Sequence, residues 1–394
     1  MAALDGIKVL DVSEVMQAPL AAQVLGDFGA EVVKVERPPP GEIMRTLDRH
    51  GANNGMMSCY FAAMNRNKRA ICLDLKLPEA RAALRRMVAQ TDVLIHNYRP
   101  GAMERLGLGY DDLAVDNPRL IYATAYAFGE TGPLSHKGGQ DLLAQSYSGV
   151  AMNGVVPDAP PRLSATPSVD FSAGMTLAQG IMVALFERER SGRGQKVSIS
   201  LLDTAIAMQA LEVSTQQMYD YESNFLRNAE VYRTRDGWVT VLSFFRDNPL
   251  RLLCQAFDVG DLSLEPEFET IDLQVENKDR IHEIMAPHFE RRSTAECVAL
   301  LEATDILCGP ILSLEETLAH PQVADNETLV RVPIDGQDAV ALAGNPVRLS
   351  RTPANVARGV AAHGRDTQEV MRDFGFGADE IDSLAEIGAF GAGG

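Results

Sequence analysis

An α/β fold is predicted, with a doubly wound, mostly parallel sheet in a large domain and a smaller α+β domain beside it. Two observations carry this. Short apolar runs rich in Val and Ile alternate with helical patterns through the first 200 residues, which is how a parallel sheet with helices on both faces is written. The chain has 394 residues, more than one ordinary domain needs, so two domains are expected.

The elements follow in order. IKVLDVS (7–13) reads as a strand, APLAAQVLGDFGA (18–30) as a helix closing near Gly29, and EVVKVERP (31–38) as the second strand. The cycle repeats through RAICLDL (69–75), PEARAALRRMVAQ (78–90) with Pro78 suited to a first helical turn, DVLIHNY (92–98) and RLIYATAYAF (119–128). QDLLAQSYSG (140–149) is helical, 157–167 is a loop, and a helix following Asp170 leads to the strand QKVSISLL (195–202). The predicted domains are therefore 1–202, a helical linker over 203–224, a small domain over 225–325 and a return segment over 326–394 that packs on the large domain. In the small domain, DGWVTVLSF (236–244) reads as a strand, helices are expected near 248–257, 277–290 and 293–304, and GPILS (309–313) returns to strand. The tail is expected to hold strands near 328–334 and 346–350 and helices near 365–374 and 378–387.

Hydrophobic residues at 46% and charged residues at 23% are ordinary for a globular chain. The formal charge of −18 disfavours nucleic acid and anionic membranes as partners, since both need basic patches. Any anionic ligand must then meet a local cluster of positive charge. The start MAALDGIKVLDVS lacks a basic flank, and no stretch reads as the roughly 18 apolar residues of a span, so a cytoplasmic protein is expected. The five cysteines (Cys59, Cys72, Cys254, Cys297, Cys308) are scattered and form no C-x-x-C pair, against a disulfide framework or a zinc site. The turn SEVMQAP after the first strand lacks the dinucleotide glycines, and neither a P-loop nor a G-x-S-x-G elbow occurs. His282-Glu283 starts a metalloprotease-like H-E, but Ala286 stands where the second histidine belongs and Pro287 is expected to break the helix, so no metal site is expected.

What remains is a set of basic residues at strand ends. NRNKR (65–69) contains Lys68, NYRPG (97–101) contains Arg99, Arg105 lies four residues past Gly101, and Arg37 closes the second strand. Each alone reads as a solvated rim; together, in a sheet that binds ligands at strand ends, they suit a phosphate-rich ligand. Asp170, wedged between Val169 and Phe171 before an apolar helical run, reads on residue type alone as a helix cap. A chemical role for it stays open.

LDGIKVLDVS, GAEVVKVERP, NRNKR with LDLK, DVLIHNYRPGAMERLGLGY, NPRLIYAT, FGETGP, VDFSAG and SGRGQKVSISLLD occur in that order from residue 4 to about 203, with ILCGP (306–310) further on. The series resembles the class III coenzyme A transferases, the CaiB/BaiF-like family that includes formyl-CoA and carnitine CoA-transferases and α-methylacyl-CoA racemases. The resemblance implies an interlocked homodimer, coenzyme A and acyl-CoA as substrates with no tightly bound cofactor, and Asp170 as a nucleophile that forms an aspartyl–acyl anhydride and then an aspartyl-CoA thioester. With CoA as ligand, Arg37, Lys68, Arg99 and Arg105 are expected to include its phosphate or adenine contacts, because an anion approaching a chain of charge −18 needs compensating local charge.

The racemase branch needs a histidine where this chain has Gln140, and glutamine shuttles no protons. His136 lies four residues earlier, and Asp141 reads as the cap of its own helix. VLSFFRDNPL (241–250) has no glycine where formyl-CoA transferases carry a glycine-rich loop, which argues against formate and oxalate. Arg246, in that segment, suits the distal carboxylate of a short dicarboxylic acid of the succinate or mesaconate kind, with Gln140 as a second substrate contact and Asp247 as the competing partner of Arg246. A racemase or isomerase, and a CoA-binding protein without catalysis, are the alternatives.

Overall fold

The computed structural model describes residues 1–155, 158–219, 229–242 and 246–391. They form two compact units, one of residues 1–152, 161–210 and 327–394, the other of residues 153–160 and 211–326. The stretch expected as a linker divides between them: the helix Leu201–Ala207 belongs to the first unit, and Ala210–Tyr219 lies almost wholly in the second.

The first unit is built on six parallel strands, β1 Lys8–Asp11, β2 Glu31–Glu36, β3 Lys68–Cys72, β4 Val93–His96, β5 Ile121–Tyr126 and β6 Lys196–Ser200, in the order β3-β2-β1-β4-β5-β6. The direction of strand addition reverses between β1 and β4, the switch point at which doubly wound sheets bind ligands. Alternation sends Leu10, Val33, Leu94 and Tyr122 to one face, where helix Pro78–Val88 and the tail residues Val370, Met371 and Phe374 cover them. Val9, Val32, Val93 and Ile121 face the other way, onto helices Gln17–Asp27 and Ser168–Ser191. Both faces of the middle of the sheet are therefore mainly apolar, with Asp11 on β1 and Lys34 and Glu36 on β2 as buried charges.

Two expectations are corrected here. Helix Ser168–Ser191 is long and apolar enough to cross a membrane by length and composition, contrary to the reading that no stretch is. Leu177, Ile181 and Leu185 are buried on the sheet and on helix Gln17–Asp27, and Val169 against Ala144, Leu201 and Ala205, which makes it a core helix of this unit. The second tail strand lies at Gln337–Ala343 (β11), not at 346–350; it pairs antiparallel with β10, Leu329–Ile334. The turn between them is Asp335-Gly336, with Gly336 at φ +73°, a two-residue hairpin signal visible in the sequence.

The second unit carries a three-stranded antiparallel sheet of β7 Ala229–Arg233, β8 Trp238–Leu242 and β9 Leu307–Pro310, packed by helices Pro249–Ala256, Lys278–Glu290 and Thr294–Ala303 around Tyr232, Phe257, Met285 and Phe289. Residues 243 and 244, the end of the expected strand, lie outside the described residues. Pro287 does not break its helix. The helix runs on three residues past it to Glu290, with the one N–H donor that proline lacks given up, and His282 Nδ1 lies 3.0 Å from Glu230 Oε1.

Candidate active site

A cleft of about 430 Å³ opens in the first unit at the carboxyl ends of β1, β4 and β5. Glu14 to Gln17 line it from the loop after β1, Asn97 to Pro100 from the loop after β4, and Ala125 to Ala127 from β5 and beyond. Ser135, residues 137–140 and Asp170 complete it. The loops after β1 and β4 are tied across the switch point: Glu14 N–H donates to Asn97 Oδ1 at 2.9 Å, and Asn97 Nδ2 donates back to the Glu14 carbonyl at 2.7 Å.

Asp170 is not the helix cap. Helix Ser168–Ser191 begins two residues before it, and Asp141 caps that helix from 29 residues away in sequence. Asp141 Oδ1 accepts the N–H groups of Val169 at 2.8 Å and of Asp170 at 3.0 Å. Asp141 is thus no cap of its own helix Asp141–Ser148; Gln140 fills that place, its Oε1 accepting Leu142 N–H at 2.8 Å. Among the described residues nothing donates to the Asp170 carboxyl, which is 7% exposed and faces the cleft. Burial, and then the negative charge of Asp141, push its pKa up to about 7.

Gly174, one turn on from Asp170, lets helix Gln17–Asp27 cross in contact: a Cβ there would stand 2.7 Å from the Gln17 carbonyl oxygen and 2.8 Å from Leu20 Cδ2. Gln17 opens that helix, lines the same cleft as Asp170, and its side-chain oxygen is buried with no hydrogen-bond partner among the described residues. The sequence reading passed over Gln17, whose only local mark is the following Ala-Pro at a helix start.

The expected basic residues separate sharply. Arg99 lines the cleft, exposed, with its guanidinium packed over Gly138. Arg105 is exposed beside Gly101, and neither arginine has a carboxylate within 4.0 Å among the described residues. Arg37 donates to the Gly41 carbonyl at 2.7 Å and lies 3.9 Å from Glu14 at the cleft. Lys68 is misassigned as a ligand contact. Its ammonium is 1% exposed and donates to Asp11 Oδ2, Asn65 Oδ1 and the Pro19 carbonyl, all at 2.8 Å. The physical reason is that NRNKR precedes β3 and so enters the sheet at its amino end: Arg66 pairs with Asp27 and Arg69 with Glu31, Glu369 and Asp373, all inside the unit. Lys137, not singled out from the sequence, does line the cleft, whereas His136 beside it does not.

Gln140 lines the cleft as expected, although its side-chain oxygen is held by its capping bond. Arg246 belongs to the second unit, where its Nε donates to the Asp305 carbonyl at 2.7 Å and its guanidinium lies 2.9 Å from Asp305 Oδ1; Asp305, rather than Asp247, is its carboxylate partner. Phe244 and Phe245 lie outside the described residues.

A doubly wound sheet with a buried carboxyl and the exposed Arg99 in one cleft at its switch point has the form of an α/β ligand-binding fold. The chain belongs to CoA-transferase family III, whose sequence model matches residues 4–367. Among its relatives, the acetyl-CoA:oxalate CoA-transferase of Acetobacter aceti is 32% identical over 88% of this chain and 89% of that protein. The succinyl-CoA:glutarate CoA-transferase of Mus musculus is 28% identical over 95% and 86%. A CAIB/BAIF family protein from Brucella suis has a solved structure that superposes with a TM-score of 0.85 at 25% identity, covering 95% of this chain and 99% of that one.

Proposed function

We propose that this enzyme moves coenzyme A between short dicarboxylic acids through covalent intermediates on Asp170. The observation that carries the reading is a buried carboxyl with no donor among the described residues, in the lining of a cleft at the switch point, on a helix whose terminal N–H groups are already taken by Asp141. The Asp170 carboxylate attacks the donor thioester carbonyl, the C–S bond breaks, and CoA leaves as thiolate from a mixed anhydride. The thiolate then attacks the Asp170 Cγ, releasing the donor acid and leaving aspartyl-CoA. The acceptor carboxylate displaces the thiolate from Cγ, and the thiolate takes the acceptor acyl group, returning Asp170 as carboxylate. No net proton is consumed.

The environment of Asp170 supports each covalent step. Burial and the Asp141 charge penalise the free carboxylate, and acylation removes that charge, so the ground state is raised relative to the intermediates. The Gln17 amide supplies a donor to the developing oxyanion, the kind of contact whose loss costs about 3–4 kcal/mol. Arg99, Arg105 and Arg37 hold the CoA phosphates. Short dicarboxylic acids are the substrate class common to the oxalate-named and glutarate-named relatives, and the argument against oxalate weakens with the former at 32% identity. The working form is a homodimer, to be checked by light scattering.

Incubation with succinyl-CoA and hydroxylamine, followed by peptide mass spectrometry, tests the mechanism. The expected result is a hydroxamate on Asp170; its absence under conditions of measurable CoA exchange defeats the reading.

A further inference from the structure

Beneath the cleft, and outside its lining, lies a buried set of alternating charges. Lys34 Nζ is 2.7 Å from Glu42 Oε2 and 3.7 Å from Asp11 Oδ2, and it also donates to the Ser13 carbonyl. Asp11 accepts from Lys68 and from both the N–H and the hydroxyl of Ser13. Glu42 N–H donates to Glu36 Oε2 at 3.1 Å, and Glu36 is itself forked by Arg45. Paired in this way the charges are tolerated inside the fold, since an unpaired one is not.

One bond leaves this set for the active-site loop. Glu42 Oε1 accepts the N–H of Val15 at 2.7 Å, and Val15 stands at φ +69°. A β-branched residue in the left-handed region is strained and persists only where its surroundings hold it. Lys34 grips Ser13 and Glu42 grips Val15, so one ion pair clamps both ends of the turn. The residues next along are Glu14, tied to Asn97, and Gln17, whose carbonyl meets the nucleophile helix at Gly174.

We propose that Glu42 is a positioning residue for CoA transfer: by holding Val15 in its left-handed conformation it sets the Gln17 amide against the Asp170 carboxyl. This rests on the reading of Asp170 as the nucleophile. Glu42 is 1% exposed and touches no substrate; it acts through the loop alone.

The test compares Glu42→Gln, which keeps an amide oxygen for the Val15 N–H, with Glu42→Leu, which keeps none. Exchange between succinyl-CoA and labelled succinate is expected to lose about 10²-fold in kcat in Glu42→Leu, the loss expected of a group misplaced by about 1 Å, with KM for succinyl-CoA nearly unchanged. Glu42→Gln retains most of kcat. Adding Val15→Gly to Glu42→Leu restores part of the loss, because glycine takes positive φ without being held; a merely structural role of Glu42 is not mended at residue 15. An unchanged kcat in folded Glu42→Leu, or no recovery with Val15→Gly, overturns the proposal. If Glu42→Leu does not fold, Val15→Pro removes the N–H and forbids positive φ while Glu42 keeps its ion pair with Lys34, and an unchanged kcat there overturns it equally. Hydroxylamine trapping on the wild-type protein separates the two readings. With Asp170 trapped in wild type and at the same rate in the Glu42 variants, only the positioning role fails; with no adduct in wild type, both fail.

Discussion

Asp141 Oδ1 receives the N–H groups of Val169 and Asp170 at 2.8 and 3.0 Å, so the helix that carries Asp170 is capped by another carboxylate. A helix N-terminus ordinarily favours a negative charge in its first turn. Here that favour is spent on Asp141, and Asp170 meets the resulting negative charge in a buried place. Its carboxyl is raised to about 7 in consequence.

As the proposed nucleophile Asp170 has to be ionised, and burial and the Asp141 charge push its pKa up to about 7. kcat/KM for exchange is therefore expected to rise with pH along a single limb centred near 7 in the free enzyme. A flat profile between pH 5 and 8 contradicts the role of Asp170.

Asp141→Asn keeps an oxygen for both N–H groups, so melting temperature changes little, because Asn and Asp cap about equally well. The charge beside Asp170 is gone, and the acid limb of kcat/KM moves to lower pH. Asp141→Ala makes the same shift but also loses the cap, at about 1 kcal/mol of stability. pH profiles and thermal melts on the same samples separate the two effects.

Asp170→Asn should fold and lose exchange by about four decades, equivalent to about 5.4 kcal/mol of barrier, while CoA binding persists. Its stability carries a sign of its own. The folded carboxyl titrates near 7 and the unfolded one near 3.8, so as pH rises the unfolded state ionises first. Wild-type stability is lost progressively between those values, by up to ~4 kcal/mol, and stays lost above them. The variant, which cannot ionise, should melt higher than wild type at pH 8 and at about the same temperature near pH 4. Equal melting temperatures at both pH values would remove the strained carboxylate from the account.

Most of the sheet was legible because period-2 alternation and Val/Ile runs are local properties: five of the six parallel strands fall within the expected segments, and β3 begins one residue early, at Lys68. Of the tail hairpin the first strand fell where expected and the second did not, although Asp335-Gly336 announces a two-residue turn directly after the first. Asp170 could be singled out in the sequence, whereas its cap could not, because the partner is Asp141 and only the packing of two helices joins them. The basic residues failed for a related reason. Sequence shows that a lysine adjoins a strand, but not whether its side chain turns outward, as Arg99 does, or inward to a carboxylate, as Lys68 does.

That difference is measurable. Lys68→Met leaves Asp11 with Ser13 as donor and, among the described residues, Lys34 at 3.7 Å as its one cation, and should destabilise by roughly 3–5 kcal/mol, the usual cost of breaking a buried pair. Arg99→Ala should leave the melting temperature in place and weaken CoA by about 1.5–3 kcal/mol, less as salt is raised. Calorimetry at two ionic strengths beside thermal melts tells them apart; an Arg99→Ala protein with unchanged CoA affinity takes Arg99 out of the site.

Gly174→Ala tests the closeness of the two helices. The added Cβ would stand 2.7 Å from the Gln17 carbonyl oxygen and 3.0 Å from Leu20 Cβ, both rigidly placed, so the helices must part. Overpacking of this kind costs typically 1–3 kcal/mol, against the ~1 kcal/mol that alanine gains over glycine in a helix. Gly180→Ala, two turns along the same helix, meets only Val197 Cγ1, at 2.9 Å, a side-chain methyl where Gly174 faces backbone, and is expected to cost less. Because Gly174 adjoins Gln17 and lies one turn from Asp170, its variant should also lose kcat for exchange while KM for succinyl-CoA holds, and Gly180→Ala should not. Equal kcat in the two variants would mean that the Gln17–Asp170 spacing does not govern the reaction.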